Sequence, residues 1–258
     1  GRTEAGLSLL AVGKYYFDKK DEPMYMLAYQ TFIKNFPQDE RVGLILYTLA
    51  GLRKQAGDAA TAAQYYQEIV DKHQKDAYYP KALSQLAWTY FAASNYAEAA
   101  KGLASYINAA QPSPDKAQAQ LALGDCYRLI NNYQQALVEY EKLIQWLAPK
   151  GNPYSTSTAD ATKNLGFLED AAFHKGFCYS RMNEPKEAVP DYRQKGIKAF
   201  ETFAVLFPNS DKVPKALDAK GRILMEIGQF DAASKTYNDL ASRFPKTEQG
   251  QNALFSMM

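Results

Sequence analysis

The sequence predicts an all-α fold, and three observations carry that prediction. Alanine is abundant and tyrosine reaches 19 residues, while valine, isoleucine and threonine are thinly spread. Segments rich in helix formers and poor in β-branched residues favour helix over strand. Apolar residues recur at helical spacing, as in 81–93, and no strand-like alternation of useful length competes with them. Small residues also recur at a fixed period: Gly13, Ala50, Ala87 and Gly124 follow one another at 37-residue steps. Repetition at such a period marks stacked supersecondary units, each too small to bury its own apolar face.

The elements follow from this register. Gly176 and Gly221 continue the series at steps of 52 and 45, which places insertions of 15 and 8 residues. A second small residue stands twelve positions after the first, at Ala62, Ala99, Ala136, Ala188 and Ala233. Four residues later comes a large one: Tyr66, Leu103, Tyr140, Tyr192 and Tyr237. Another large residue follows the first small one by three, at Tyr16, Tyr90, Tyr127, Tyr179 and Leu224, with Arg53 as the exception. Two helices approach closely only where side chains are small, so Gly or Ala marks each crossing. Tyr and Leu fill the space beside it. Turns at 54–58 and 226–229 join the two helices of a unit. Prolines at Pro37, Pro112, Pro149, Pro208 and Pro245 end most second helices, since proline cannot continue the hydrogen-bond ladder.

The pattern resembles the tetratricopeptide repeat (TPR) family, best over 215–237 and on to Pro245, and nearly as well over 117–144. The resemblance covers six repeats, at about 3–37, 40–74, 77–112, 114–149, 168–208 and 212–245. It implies a right-handed α-solenoid of about six TPR-like helix pairs plus a C-terminal helix, with the first helices lining a concave groove. The expected organisation is 1–149 for repeats 1 to 4, an inserted loop at 150–167, repeats 5 and 6 at 168–245, and a partial seventh repeat at 246–258. The unpaired apolar Leu254, Phe255, Met257 and Met258 predict either that the chain is a fragment or that its end docks on a partner, and the missing initial Met predicts that something was removed upstream.

The insertions have expected shapes. Gly151, Asn152, Pro153 and the Ser/Thr run at 155–158 predict a loop, either a binding loop at the groove edge or a tolerated surface insertion. The eight extra residues near 190–197 predict a longer second helix in repeat 5, kinked at Pro190.

The family's groove slots project onto candidate partner-binding residues: Tyr47, Lys54, Lys81, Trp88, Phe91, Arg128, Phe173, Phe177, Arg181 and Arg222. Aromatic and Arg side chains dominate interface energetics. Trp88, Phe91, Phe173 and Phe177 serve as apolar anchors in this reading, and Arg128 and Arg181 pair with partner carboxylates. The same aromatics equally suit packing between helices. In co-chaperones of the family, a Lys followed four later by Asn grips a C-terminal carboxylate. The matching slots here carry no such pair, which argues against an adaptor of that type.

Chemistry is sparsely signalled. Asp170, His174 and Cys178 lie four apart along one helical face. A nucleophile, a base and an orienting group must meet in space, which spacing alone does not supply. The expectation is a helix-start Asp, a surface His and a buried Cys. No second Cys or His stands nearby in sequence to complete a zinc site. Cys126 and Cys178 share a slot in neighbouring repeats, too far apart for a disulfide, so two free thiols are expected. No catalytic residue, metal or cofactor is predicted, and the chain is expected not to be an enzyme.

The net charge of +2, from 30 basic and 28 acidic residues, offers no electrostatic case for nucleic acid. No apolar run approaches the roughly 20 residues of a membrane span. The junctions at 207–217 and 244–254 are similar in repeat style to bacterial envelope members of the family, the lipoprotein BamD and the Tol–Pal-associated protein YbgF. That likeness implies a periplasmic scaffold binding a protein or peptide partner, with the cytoplasm as the alternative location. A self-associating structural subunit and a small-ligand receptor linked to a transporter remain the competing functions.

Overall fold

The computed structural model describes residues 2–147 and 161–255. The described residues form thirteen α-helices and no strand. They divide into two compact units, 1–94 and 95–258. The division falls between the two helices expected to form repeat 3.

The first unit holds α1 (Arg2–Asp18), α2 (Glu22–Asn35), α3 (Val42–Gln55), α4 (Ala59–Lys72) and α5 (Tyr79–Ala92). Its core centres on Phe32, Leu46, Leu49, Tyr66 and Ile69. The second unit holds α6 (Tyr96–Ala109), α7 (Pro114–Leu129), α8 (Tyr133–Leu147), α9 (Ala161–Arg181), α10 (Val189–Leu206), α11 (Val213–Glu226), α12 (Phe230–Arg243) and α13 (Glu248–Phe255). Leu103, Tyr140, Leu143, Leu168, Phe200, Phe203 and Leu240 are its largest fully buried side chains.

The 37-residue period reappears in the backbone. Lys20, Gly57, Ser94 and Asn131 all take positive φ, between 58° and 82°, and Gly228 does so at 75°. Each closes a first helix in the left-handed conformation that reverses the chain. After Lys20, Gly57 and Asn131 the next residue caps the second helix with its side chain, which Asn95 and Gln229 do not. Met24 N–H donates to Asp21 Oδ1 at 3.3 Å, Thr61 N–H to Asp58 Oδ1 at 3.1 Å, and Gln135 N–H to Asn132 Oδ1 at 3.2 Å. Such caps satisfy amides that have no partner within the helix.

A second periodic device starts the first helices. Arg41 N–H donates to Asp39 Oδ1 at 3.0 Å, Tyr78 N–H to Asp76 Oδ1 at 2.8 Å, and Lys212 N–H to Ser210 Oγ at 3.0 Å. Ser113 and Thr247 cap α7 and α13 from the same register. The turns at Asp39, Ser210 and Thr247 follow the Phe36, Phe207 and Phe244 ends of α2, α10 and α12, where the expected prolines begin the turn.

The helix crossings use glycine against an aromatic ring. A Cβ on Gly13 would stand 2.4 Å from Tyr29, one on Gly124 2.5 Å from Tyr140, and one on Gly221 2.6 Å from Tyr237. The ring follows the glycine by sixteen residues each time.

Repeat 5 departs from the sequence expectation. Its crossing glycine, Gly176, meets Phe200 rather than Tyr192. The small residue ahead of that ring is Gly196, not Ala188. The eight extra residues therefore precede the packing register of α10 instead of extending it. Pro190 lies in the first turn of α10, where a missing N–H costs nothing, so the expected kink is absent. The longer helix is present: α10 has 18 residues where α11 and α12 have 14. The expected loop at 150–167 also ends early, since α9 begins at Ala161. Gly151, Asn152, Pro153 and the run at 155–158 lie outside the described residues, as do Met257 and Met258.

Candidate protein-interaction face

The first unit presents five of the candidate residues. Tyr47 on α3 meets Tyr66 edge-on at 5.6 Å and Tyr78 at 5.3 Å, so its ring is largely committed to the unit's own packing. The exposed Lys54 donates to Gln85 Oε1 at 2.9 Å. Lys81 lies 5.4 Å over the Tyr78 ring, a cation–π contact. Trp88 and Phe91, one turn apart on α5, meet edge to face at 5.8 Å and remain partly accessible.

The second unit carries four candidates on α7 and α9, and three of them meet. Arg181 lies 5.2 Å over the Phe177 ring and Arg128 lies 5.8 Å from the same ring. Both guanidinium groups thus lie over the Phe177 ring. Phe173 points elsewhere, packing against Phe200 at 6.0 Å and Phe203 at 5.6 Å. Of the two uses open to it, packing between helices is the one its ring makes. Arg222 stands apart on α11, tied to Asp218 one turn away.

Behind the Arg–Phe–Arg stack lies a buried polar hub. Tyr140 donates its hydroxyl proton to Asp125 Oδ1 at 2.7 Å. Arg128 donates to the same oxygen from Nη2 at 3.0 Å and from Nε at 3.2 Å. His174 Nδ1 approaches it to 2.9 Å. Burial alone raises the Asp125 carboxyl pKa, but His174, Tyr140 and Arg128 outweigh it and hold the group below its ordinary value. Burial, followed by the Asp125 charge, drives the Tyr140 phenol well above its usual range. Arg128 is therefore spent on an internal carboxylate. Arg181 is exposed and makes no ion pair among the described residues.

The Asp170, His174 and Cys178 line splits into three separate environments. Asp170 accepts from Lys212 at 3.0 Å, and His174 turns to Asp125 on another helix. Cys178 is fully buried, and burial pushes its thiol up to about 12. Cys126 is likewise buried, free and pushed up to about 12. Neither offers a thiolate nucleophile near neutral pH. Among the described residues no three ligating side chains gather as a metal site, and no helix is long and apolar enough to cross a membrane.

The irregular turn of repeat 5 creates a further feature. Asn183 occupies the slot of the left-handed residue but does not adopt that conformation. The chain runs on through a cis Glu184–Pro185 bond and a 3-10 turn, Lys186–Ala188, before α10 begins. Arg193 ties this loop down. Its Nη1 donates to the Met182 carbonyl at 2.9 Å, its Nη2 to Asn183 Oδ1 at 2.7 Å, and its Nε to Glu226 Oε1 at 2.8 Å. An open cleft of about 500 Å³ lies between this loop and the turn joining α7 to α8. Nothing in the residue spacing marks Arg193; the skipped turn register at Asn183 is the signal that marks its loop.

Glycine-to-ring crossings, left-handed turns in fixed register and capped helix pairs define a helical-repeat protein. Family models described as tetratricopeptide repeat match residues 84–152, 45–76 and 215–247, together just over half of the chain. The chain belongs to the tetratricopeptide repeat family. No curated protein sequence matches it significantly. Among solved structures it is similar to the MamA protein of Desulfovibrio magneticus RS-1 at 15% identity, covering 81% of this chain and 98% of that one with a TM-score of 0.55. A second MamA structure gives 18% identity, 81% and 94% coverage, and a TM-score of 0.57. YrrB, described as a TPR protein with an unusual peptide-binding site, gives 15% identity, 88% and 97% coverage, and a TM-score of 0.55. At these identities the likeness concerns the fold.

Proposed function

We propose that this chain is a non-enzymatic scaffold that captures a protein or peptide segment on the faces of its first helices. The observation that carries the reading is the Phe177 ring, partly accessible and flanked by Arg128 and Arg181. Aromatic and Arg side chains in one patch are what interface hot spots are made of. Trp88 and Phe91 offer a second aromatic patch in the first unit. YrrB, a neighbour in fold, is described as peptide-binding, which supports the same class of partner. A place in a bacterial envelope complex, in the periplasm, is part of this proposal and rests on the style of the inter-repeat junctions.

The test is capture of partners from an extract of the source cells by the purified chain, compared with W88A/F177A and R181E. Phe177 leans on the core and Arg181 does not, so the second variant reads the face without disturbing packing. Partners held by the wild type and lost from both variants, with helicity unchanged, support the proposal. Partners held equally by all three chains sink it.

A further inference from the structure

The cleft beside the irregular turn of repeat 5 has an unusual balance of donors and acceptors. It is lined by 131–134 from the α7–α8 turn and by 181–185 from the loop. Three of those residues are asparagines, and each has its side-chain oxygen engaged internally. Asn131 Oδ1 accepts from the Tyr133 hydroxyl at 2.7 Å. Asn132 Oδ1 accepts from Gln135 N–H, and Asn183 Oδ1 accepts from Arg193. A backbone amide and a guanidinium can only donate, which fixes the orientation of those two carboxamides. That leaves the NH2 groups of the three asparagines as donors, beside the Gln134 carboxamide, which offers both a donor and an acceptor. Arg181 adds a guanidinium held by stacking on Phe177 and not engaged by any carboxylate among the described residues. Glu184 is the single acid of the lining.

A pocket supplying amide and guanidinium donors suits a ligand rich in acceptors. We propose that this cleft is a subsite for a carboxylate side chain of an extended, acidic partner segment. The proposal rests on the scaffold function above and assigns the chemistry of part of its partner. Arg181 pairs with the carboxylate, and the asparagine amides donate to it and to the carbonyls beside it. The rigidity that such a site needs comes from Arg193, which is 5% exposed and fixes the loop to the end of α9.

The test uses the full chain labelled with 15N and the probe acetyl-Ala-Glu-Ala-amide. Its controls are acetyl-Ala-Gln-Ala-amide and acetate. The Glu probe is expected to shift the side-chain NH2 signals of Asn131, Asn132 and Asn183 and to saturate. In N132D/N183D each carboxylate still accepts from Gln135 N–H or Arg193, so the fold is kept while two donors become acceptors. That variant is expected to bind the probe about tenfold more weakly or worse. E184Q, which removes the like charge, is expected to bind it roughly threefold more tightly. Equal shifts with the Gln probe, equal affinity for acetate, or an unaffected N132D/N183D would each overturn the proposal. Asn132 and Asn183 lie outside the Arg128–Phe177–Arg181 cluster, so failure of the cleft alone is distinguishable from failure of the scaffold. Capture that depends on Phe177 without any probe response sinks the cleft alone. A probe response with no captured protein sinks the scaffold and, with it, the assignment of the cleft to a partner segment.

Discussion

Phe200 lies against the bare Cα face of Gly176, so closely that a Cβ there would stand 2.7 Å from the ring. Phe200 is fully buried and cannot retreat without displacing the core around it. G176A should therefore destabilise the second unit by about 1–3 kcal/mol, since overpacking outweighs the helix propensity that alanine adds. F200L makes room for the new methyl group. The double variant G176A/F200L should lose less than the sum of the two single losses, measured by urea unfolding. Strict additivity would show that the contact is not tight.

Arg193 carries the loop of repeat 5. R193M keeps much of the side-chain volume but strips the Met182 carbonyl and Asn183 of their donor. It also leaves Glu226, which is half exposed, without its partner. Losing hydrogen bonds from a buried charged donor should destabilise the unit by about 2–3 kcal/mol. Hydrogen exchange should quicken at the last turn of α9 and the first turn of α10. Unchanged exchange there would mean that the loop holds itself.

The buried thiols predict behaviour at high pH. Both stay protonated in the folded chain until about pH 12, whereas an unfolded thiol ionises near pH 8.5. A group whose folded pKa is raised stabilises below its unfolded pKa, and that contribution disappears as pH rises towards the folded value. The urea midpoint should fall steadily from about pH 9 upward, and C126A/C178A should flatten that decline. In the native state both thiols should react slowly with a disulfide reagent and rapidly in urea. Fast native labelling at pH 8 would contradict their burial.

The repeat register was legible because small residues and their rings obey a fixed interval that packing enforces. Gly124 with Tyr140 and Gly221 with Tyr237 could be paired from spacing alone. Repeat 5 could not, because its eight extra residues fit two registers. Ala188 with Tyr192 and Gly196 with Phe200 both supply a small residue and a ring four apart. Only packing against Gly176 selects the second pair. The left-handed turn series at Lys20, Gly57, Ser94 and Asn131 breaks at Asn183 only in the backbone, since the residue there is the same as at Asn131. The candidate site shows a different limit. Spacing of four joins His174 to Asp170 and Cys178 on one helix, yet its partner is Asp125 on another. A periodicity reports neighbours along a helix and is silent about contacts across a crossing.

Asp125 gathers Tyr140, Arg128 and His174 around one oxygen, so its charge is a structural element of the α7–α9 face. Its carboxyl is held below the ordinary value despite burial, which otherwise raises it. A group with a depressed folded pKa stabilises above its unfolded pKa and loses that contribution as pH falls through the folded value. D125N keeps an oxygen for the Tyr140 hydroxyl but removes the counter-charge of Arg128. At pH 7 it should be less stable than the wild type by about 1–3 kcal/mol. The gap should narrow as pH falls from about 4, where the unfolded carboxyl begins to take up its proton, because the wild type then loses the same contribution. The D125N face should also release Arg128 from its internal partner, which would loosen the guanidinium over Phe177. Urea midpoints of both chains between pH 3 and 7 would check this. A gap that stays constant across that range would show that the charge of Asp125 contributes nothing and that only its hydrogen bonds matter.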